Sequence, residues 1–383
     1  MVTFITPNRP ATGRPEQIST RILFFVAGFG MAAWAPLVPF AKARAAIDEG
    51  ALGLLLLCLG VGSIVTMPLA GALAARFGCR RVVGVSAVIF CLTLPLLATA
   101  SSPALLAARL LVFGAGLGSI DVAMNIQAVI VERESGRSMM SGFHGLFSLG
   151  GIVGAACITA LLGAGASPLG ATMSVVAAII VALAIAAPHL LPYGRKNVGP
   201  TFAFPHGVVL FIGTLCFMAF LAEGAMLDWS AVFLTSVRGM ETAYAGLGYV
   251  TFSLTMTMGR LAGDGVVQRL GRTNVIVFGG LAAASGFALA TLVPYWPITL
   301  LGYALVGVGC ANIVPVLYTS VGRQNAMPEY LAVPAIATLG YAGILAGPAA
   351  IGFVAHTASL SVAFTILALL ELGVAVSGRL LRV

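Results

Sequence analysis

Apolar stretches of about 20 residues recur along the whole chain, and they constrain its fold more than any other feature. A helix needs about 20 apolar residues to cross the hydrocarbon of a bilayer. Only 8% of the residues are charged and 60% are hydrophobic, whereas soluble domains carry about 25% charged residues. So few charges cannot cover a surface that faces water. The sequence therefore predicts an all-α integral membrane protein.

Twelve membrane spans are predicted from these stretches. They cover residues 20–41, 51–74, 82–100, 103–129, 141–163, 170–190, 207–235, 243–267, 274–293, 297–320, 331–355 and 359–379. The segment before the first span lacks the apolar core of a cleaved signal peptide. The first span is therefore expected to remain in the membrane as a helix.

The basic residues are unevenly divided between the two sides of the predicted bundle. Lys42, Arg44 and Arg238 fall on one side, while Arg109 and Arg260 lie within spans. The other fifteen of the 20 lie at the termini or after even-numbered spans: Arg9, Arg14, Arg21, Arg76, Arg80, Arg81, Arg133, Arg137, Arg195, Lys196, Arg269, Arg272, Arg323, Arg379 and Arg382. Because basic loops stay in the cytoplasm, both termini are predicted there. The net charge of +8 then needs no nucleic-acid partner.

A shift of 193 residues superimposes landmarks of the first half of the chain on the second. The matched pairs are Arg76 with Arg269, Gly78 with Gly271, Gly114 with Gly307, Gly116 with Gly309, Gly150 with Gly343, and Gly154 with Gly347. The repeat predicts two pseudo-symmetric six-helix bundles, residues 1–190 and 207–383, joined by a cytoplasmic linker at 191–206. Parallel repeats of this kind enclose a central solute site.

Four motifs carry a family resemblance. They are GALAARFGCRR (71–81), GAGLGSIDVAMN (114–125), SGFHGLFSLGGIVGA (141–155) and EGAMLDWSAVFL (223–234). Together with the six-plus-six spans, they resemble the major facilitator superfamily, in particular a fucose-permease-related bacterial branch of largely uncharacterised transporters. The resemblance implies a monomeric secondary transporter that alternates between outward-open and inward-open states.

The resemblance also implies gating residues. Arg76, Arg80 and Arg269 belong to the signature loops, and Arg109 matches a family arginine in span 4 with a shift of one residue. The signature has an aspartate where this chain has Ala75 and Gln268. Asp264 lies one helical turn before Gln268, and its carboxylate is expected to take the role of the missing signature aspartate in the second half.

Polar residues inside spans 4 and 5 form the first candidate site. Asp121 and Asn125 are four residues apart and therefore share a helix face, whereas Gln127 points elsewhere. His144 enters span 5 from the same side of the membrane. The three residues are expected to line the cavity. Asp121 is expected to take a proton or to bind hydroxyls of the solute, His144 to handle protons, and Asn125 to bind the solute. The alternative is an interhelical hydrogen-bond clamp.

Span 7 carries Glu223, which is expected at the cavity as a proton carrier, and Asp228 and Trp229, which are expected at the outer gate. The alternative for the two carboxylates is an ion pair with Arg109 or Arg238.

Arg260 and Asp264, four apart in span 8, are expected to form an ion pair at the gate. Glu132, Arg133 and Glu134 are expected in a solvated loop. Glu371 lies deep in span 12, and the sequence assigns it no role.

Aromatic and amide side chains complete the candidate pocket. Trp34 provides either a stacking surface for a sugar ring or an interfacial anchor. Asn312 and Tyr318 in span 10, and Tyr341 in span 11, are further solute-binding candidates. The six cysteines lie in or next to apolar segments and are expected to be packed thiols rather than disulfides or metal ligands.

No enzyme motif is present: the chain lacks HExxH, GxSxG and Walker sequences. Transport energy must then come from a gradient, and no cofactor is expected. The sequence favours a proton-coupled carrier of a small polar solute, with sugars or polyols preferred. A drug or metabolite exporter is the alternative, and a membrane sensor or scaffold is a third hypothesis, disfavoured by the short termini.

Overall fold

The computed structural model describes residues 13–47, 49–194, 203–241 and 247–381. Residues 195–202 of the predicted linker, the predicted start of span 8 at 243–246, and the basic residues Arg9 and Arg382 lie outside this part of the chain. The described residues contain fourteen α-helices and two short 3-10 segments, and no strand.

The helices are α1 (Arg14–Ala33), α2 (Val38–Ala45), α3 (Glu49–Phe77), α4 (Cys79–Leu97), α5 (Pro103–Ser135), α6 (Met140–Gly163), α7 (Pro168–Ala186), α8 (Gly207–Ser236), α9 (Leu247–Leu270), α10 (Arg272–Leu292), α11 (Trp296–Cys310), α12 (Ile313–Val321), α13 (Glu329–Thr357) and α14 (Leu360–Gly378).

Eleven of the helical segments are long and apolar enough to cross a membrane, with α11 and α12 counted as one. The remaining predicted span corresponds to α9, which has 24 residues but carries Arg260, Asp264 and Arg269. At about 1.5 Å per residue, α9 is still long enough to cross. The prediction of an all-helical membrane bundle is confirmed.

We call the end of the bundle where α1 begins and α3, α5, α9 and α12 end the basic end, because most arginines lie there. In the N-terminal half (α1–α7), α3 packs on α5 and α1 packs on α6. In the C-terminal half (α8–α14), α9 packs on α11 and α8 on α13, while α10 contacts α11 and α14. The limits of the two bundles remain a prediction.

Glycines show that the two halves repeat one packing scheme. A Cβ atom on Gly114 would lie 1.9 Å from the Leu59 carbonyl oxygen, and one on Gly307 would lie 2.4 Å from that of Phe252. Both pairs keep the 193-residue shift. Gly78 and Gly271, also matched by the shift, precede α4 and α10 with φ of 87° and 78°. Such backbone favours glycine.

Span 10, predicted as one helix over 297–320, is broken between Cys310 and Ile313. Pro315 explains the break, because proline has no N–H to donate to the carbonyl four residues earlier, that of Ala311. Asn312 lies at the break and precedes α12.

Among the described residues, buried apolar side chains of both halves share one core at the basic end of the bundle. At the basic end a single core includes α1, α5 and α6 together with α12 and the first turns of α8 and α13. Toward the opposite end, α8, α9, α11 and α14 enclose a separate core. The halves are therefore packed against each other at the basic end.

Candidate functional site

An ion pair lies in the middle of the C-terminal half. Arg260 of α9 donates from Nη2 to Glu223 Oε1 of α8 at 2.8 Å, and the two side chains are 7% and 14% exposed. The prediction that Arg260 pairs with Asp264 is therefore wrong, as is the alternative that Glu223 pairs with Arg109 or Arg238. Spacing of four residues allows a contact along one helix, but α8 brings another carboxylate to the guanidinium.

The remaining nitrogens of Arg260 donate hydrogen bonds to the break in span 10 and to the N-terminal half. Its Nε donates to the Ala311 carbonyl oxygen at 3.2 Å, which is the oxygen that Pro315 leaves free. Its Nη1 donates to Ser148 Oγ of α6 at 3.1 Å. One guanidinium therefore links α8, α9, the helix break and the N-terminal half.

Asp264 contacts the beginning of α6 instead of Arg260. Its Oδ1 accepts the Gly142 amide at 3.1 Å, among the first amides of α6, which have no partner within their own helix. A Cβ on Gly142 would lie 2.4 Å from Asp264 Oδ2, so glycine there admits the carboxylate. Asp264 thus joins the two halves through a helix N-terminus, where negative charge is stabilised.

Asp121 and Asn125 contact each other on α5, as their spacing predicted. Asn125 Nδ2 donates to the Asp121 main-chain oxygen at 2.9 Å and to Oδ1 at 3.4 Å. Asp121 is 8% exposed, and its Oδ2 has no hydrogen-bond partner within the described chain. The described residues also place no cation in a salt bridge with Asp121. This carboxyl therefore differs from that of Glu223.

Aromatic rings connect Asp121 with the other half. His144 packs against Phe24 at 5.3 Å and against Tyr318 of α12 at 5.6 Å between ring centroids. α5, which carries Asp121, contacts α12 and α13, which carry Tyr318 and Tyr341, and Tyr341 packs on Phe220 at 6.4 Å. The predicted residues of spans 4, 5, 10 and 11 are thus brought to one region at the seam between the halves.

Several polar atoms of this region are buried without a hydrogen-bond partner among the described residues. They are Asp121 Oδ2, Asn125 Oδ1, His144 Nε2 and Asn312 Oδ1. Trp34 Nε1 is likewise unpartnered, but it lies where α1 ends, away from the basic end. Trp34 is 5% exposed, so it is not an interfacial anchor. Buried polar groups are normally satisfied, and this set of unsatisfied atoms is therefore the best candidate for a solute or water site.

Some predicted gating residues make contacts within their own half instead. Arg109 donates to the Leu96 carbonyl at the end of α4. Arg80 donates to the Leu190 and Pro188 carbonyls, and Arg76 lies over the Phe77 ring. These three arginines cap helices or cover a ring, and their described contacts do not join the halves.

Arg269 and Asp228 are exposed. Trp229 packs beside Gly352 of α13, its Nε1 buried and without a partner in the described chain. Arg238, the proposed alternative partner of the carboxylates, donates to the Ala290 and Thr291 carbonyls.

Sequence reasoning missed Glu132, which was expected in a solvated loop. It is buried, accepts the Met139 and Met140 amides at 2.7 Å each, and accepts Thr319 Oγ1 of the other half at 2.5 Å. Its neighbour Arg133 forms a salt bridge with Glu329 of α13. The four unsatisfied amides that begin any α-helix were the available signal.

Gln127, the third polar residue in the apolar stretch of α5, has a structural role. Its Nε2 donates to Thr20 Oγ1 of α1 at 2.9 Å, and its Oε1 accepts the Leu191 amide at 3.1 Å. It therefore lies away from Asp121 and ties α1, α5 and the end of the N-terminal half together.

Comparison with known proteins gives the family of this fold and site. The sequence model of the Major Facilitator Superfamily matches residues 22–333. The chain belongs to the major facilitator superfamily. It is 56% identical over 368 residues to an uncharacterized MFS-type transporter of Yersinia pestis, covering 96% of each chain.

Solved structures of superfamily members share the fold. The transporter FucP in the outward conformation superposes with a TM-score of 0.81 at 15% identity, covering 97% of this chain and 100% of FucP. The human organic anion transporter MFSD10 (98% and 100% covered, 18% identical) and the proton:xylose symporter XylE (95% and 94% covered, 13% identical) both give 0.74.

Membership of the major facilitator superfamily establishes a membrane transporter of small-molecule solutes and confirms that the chain is not an enzyme. Superfamily proteins are built as two bundles, and the contacts of Asp264, Glu132, Arg133 and Arg260 all cross from one half of this chain to the other. The first three lie at the basic end, where the core is continuous.

Proposed function

We propose that this transporter is a monomeric, proton-coupled carrier of a small polar solute, with sugars or polyols preferred, in the bacterial inner membrane. Its basic end and both termini face the cytoplasm, as the distribution of arginines favours. Two observations carry the proposal: the unsatisfied acceptors Asp121 Oδ2 and Asn125 Oδ1, and the buried ion pair of Glu223 with Arg260.

Solute recognition follows from the chemistry of these atoms. A carboxylate oxygen and an amide oxygen both accept hydrogen bonds, so they suit a solute that offers several hydroxyl donors. Tyr318 and Tyr341 supply ring faces and hydroxyls from the opposite half. A solute held between Asp121 and these tyrosines contacts both bundles, which lets its binding favour one arrangement of the halves over another.

Proton coupling follows from the Glu223–Arg260 pair. When Glu223 takes up a proton, its carboxyl becomes neutral and no longer attracts the guanidinium as an ion partner. Arg260 also holds Ser148 of the N-terminal half, so the protonation of Glu223 alters a contact between the halves. In this scheme the transported proton binds to Glu223, while Asp121 and His144 contact the solute.

Proteoliposomes test the proposal. A thermal-shift screen against L-fucose, D-xylose, myo-inositol, mannitol and the cationic dye ethidium, at two pH values, selects the solute. Uptake of that solute is then driven by an imposed proton gradient. We expect D121N to weaken solute binding by about ten- to a hundredfold, as for one lost hydrogen bond to a charged group. E223Q should abolish accumulation but keep solute exchange.

The exposed carboxylate of Glu134 offers a matched control, and E134Q should transport like the wild type. Uptake that ignores the proton gradient, with D121N and E223Q both fully active, contradicts proton coupling. Stabilisation by ethidium alone, without any response to sugars or polyols, favours the exporter instead.

A further inference from the structure

Glu371 is a buried carboxyl that the proposed function does not use. It lies in the middle of α14, is 0% exposed, and neither Oε1 nor Oε2 has a hydrogen-bond partner in the described part of the chain. Lipid faces of membrane helices carry apolar residues, and ionisable residues inside a bundle usually mark a functional path. Its position therefore needs an explanation beyond packing.

The packing around Glu371 closes it off from lipid and water. α14 lies against α10, α8 and α13. A Cβ atom on Gly280 of α10 would lie 2.7 Å from the Glu371 main-chain oxygen, so α10 and α14 are in direct backbone contact at this level. The side chain is enclosed by the C-terminal half.

Leu367, one helical turn before Glu371, lies in the same buried core as Ala222 of α8 and Cys310 at the end of α11. The residue after Cys310, Ala311, belongs to this core and supplies the carbonyl that holds Arg260. The break in span 10 is therefore the structural link between Glu371 and the ion pair.

The other charged groups on the packed helices lie elsewhere. α10 contributes only Arg272, its first residue, at the basic end. α13 contributes Glu329, which pairs with Arg133 at the basic end, its neighbour Tyr330, His356 near the opposite end, and Tyr341, which packs on Phe220. On α8, Asp228 is exposed. The region thus holds two carboxyls, those of Glu223 and Glu371, and one guanidinium.

One cation cannot neutralise two carboxylates in a low-dielectric interior. Arg260 is bound to Glu223, and an ionised Glu371 would be a buried anion with neither a counter-ion nor a hydrogen bond, which is costly. Glu371 therefore carries a proton in this arrangement, as a neutral carboxylic acid.

We propose that Glu371 is a second proton-binding site of the C-terminal half, linked to the Glu223–Arg260 pair through the break in span 10. The role in transport rests on the proposed function. One carboxylate oxygen forms an O–H bond when the proton binds. When water reaches the site and accepts that proton, the resulting carboxylate competes with Glu223 for Arg260.

Infrared spectroscopy of the purified full-length protein in lipid tests the site without any solute. At neutral pH, ionised carboxylates lack the C=O stretching band of a carboxylic acid. The wild-type-minus-E371Q difference spectrum should contain such a band. The control difference spectrum, wild type minus E134Q, should not.

Linkage to the ion pair is tested with E223Q. Removing the negative charge of Glu223 changes the electric field at Glu371 and leaves Arg260 without its partner. The Glu371 band should therefore shift in frequency, or vanish as Glu371 ionises and takes the place of Glu223, whereas E134Q should leave it in place. An E371Q difference spectrum without a carboxylic acid band would overturn the proposal, and an unshifted band in E223Q would overturn the linkage.

The two proposals can fail separately. A Glu371 band in a protein whose uptake ignores the proton gradient leaves the binding site intact and removes proton-coupled transport. Conversely, proton-driven uptake in the wild type with no Glu371 band removes the second site alone. Suppose that E371Q accumulates the solute selected from L-fucose, D-xylose, myo-inositol and mannitol as fully as the wild type does. This result would contradict a role of Glu371 in coupling.

Discussion

Span 4 and its repeat mate, span 10, occupy equivalent places in the two halves but are built differently. α5 is one helix of 33 residues and carries Asp121 on its own surface. Span 10 is divided at Ala311 and Asn312, and Val122 stands in α5 where Pro315 stands in span 10. The shared glycines preserve the close packing, so the repeat conserves helix contacts while the polar groups differ.

The two central carboxyls differ in the same way. Asp121 has an oxygen without a partner, whereas Glu223 is bound to a guanidinium that a freed main-chain carbonyl holds in place. A pre-formed ion pair is suited to sensing a proton, because neutralising one member changes the pair. An unsatisfied carboxyl is suited to receiving a ligand.

The largest loss of stability that would distinguish the Glu223 site from the Asp121 site is expected from R260A. Removing one member of a buried ion pair destabilises proteins by about 3–5 kcal/mol, because Glu223 would be left without its partner. D121N, which removes no ion pair, should change the free energy of unfolding by less than about 1 kcal/mol. Equilibrium unfolding in mixed detergent micelles measures both.

A double variant checks that the pair is responsible for this loss. R260A combined with E223Q should recover a large part of the stability lost in R260A, since no uncompensated charge remains. If the double variant is no more stable than R260A alone, the guanidinium stabilises the fold through Ser148 and Ala311 rather than through Glu223.

An intermediate effect is expected from glycines that carry the repeat. G114A and G307A should each destabilise the fold by about 1–3 kcal/mol, as for overpacking of a close-packed interior, because the new methyl group meets a main-chain oxygen. G84A and G373A are matched helical controls, one in each half, with nothing within 4 Å of the added Cβ. Thermal unfolding should show no loss for the controls. Unequal effects of G114A and G307A would break the equivalence of the halves.

The smallest loss of stability is expected at the beginning of α6, where each half contributes one carboxylate. E132Q and D264N should each cost about 0.3–2 kcal/mol, the range for a charge at a helix N-terminus. Hydrogen exchange resolved by residue should rise at Met139 and Met140 in E132Q, and at Gly142 in D264N. Identical exchange patterns in the two variants would contradict the division of the amides between the two halves.

The sequence predicted the contacts and spans that depend on the geometry of a single helix. The contact of Asp121 with Asn125 needs only a spacing of four residues, and the exclusion of Gln127 from that face follows from the same geometry. The spans themselves follow from hydrophobicity, because the bilayer allows few alternatives to a helix. Even α9, the most polar span, was located by its apolar residues.

The partners of Arg260 and Asp264 could not be found this way. Both residues satisfy the spacing for a mutual ion pair, but each has a competing partner on another helix that comes close only after the bundle packs. The break in span 10 was predictable in principle, since Pro315 deprives Ala311 of its donor. Glu132 was missed because its sequence neighbours, Arg133 and Glu134, suggested a solvated charge cluster.

The carbonyl of Ala311 has a consequence for how this protein can vary in evolution. A main-chain oxygen is present whatever side chain residue 311 carries, so the anchor of Arg260 survives any substitution there that fits the space. The anchor depends instead on the imino acid at 315, four positions away, because proline leaves this oxygen without a helical donor. Ala311 itself is fully buried, so a deep substitution scan should accept only small residues at 311, whereas every replacement of Pro315 should weaken the anchor.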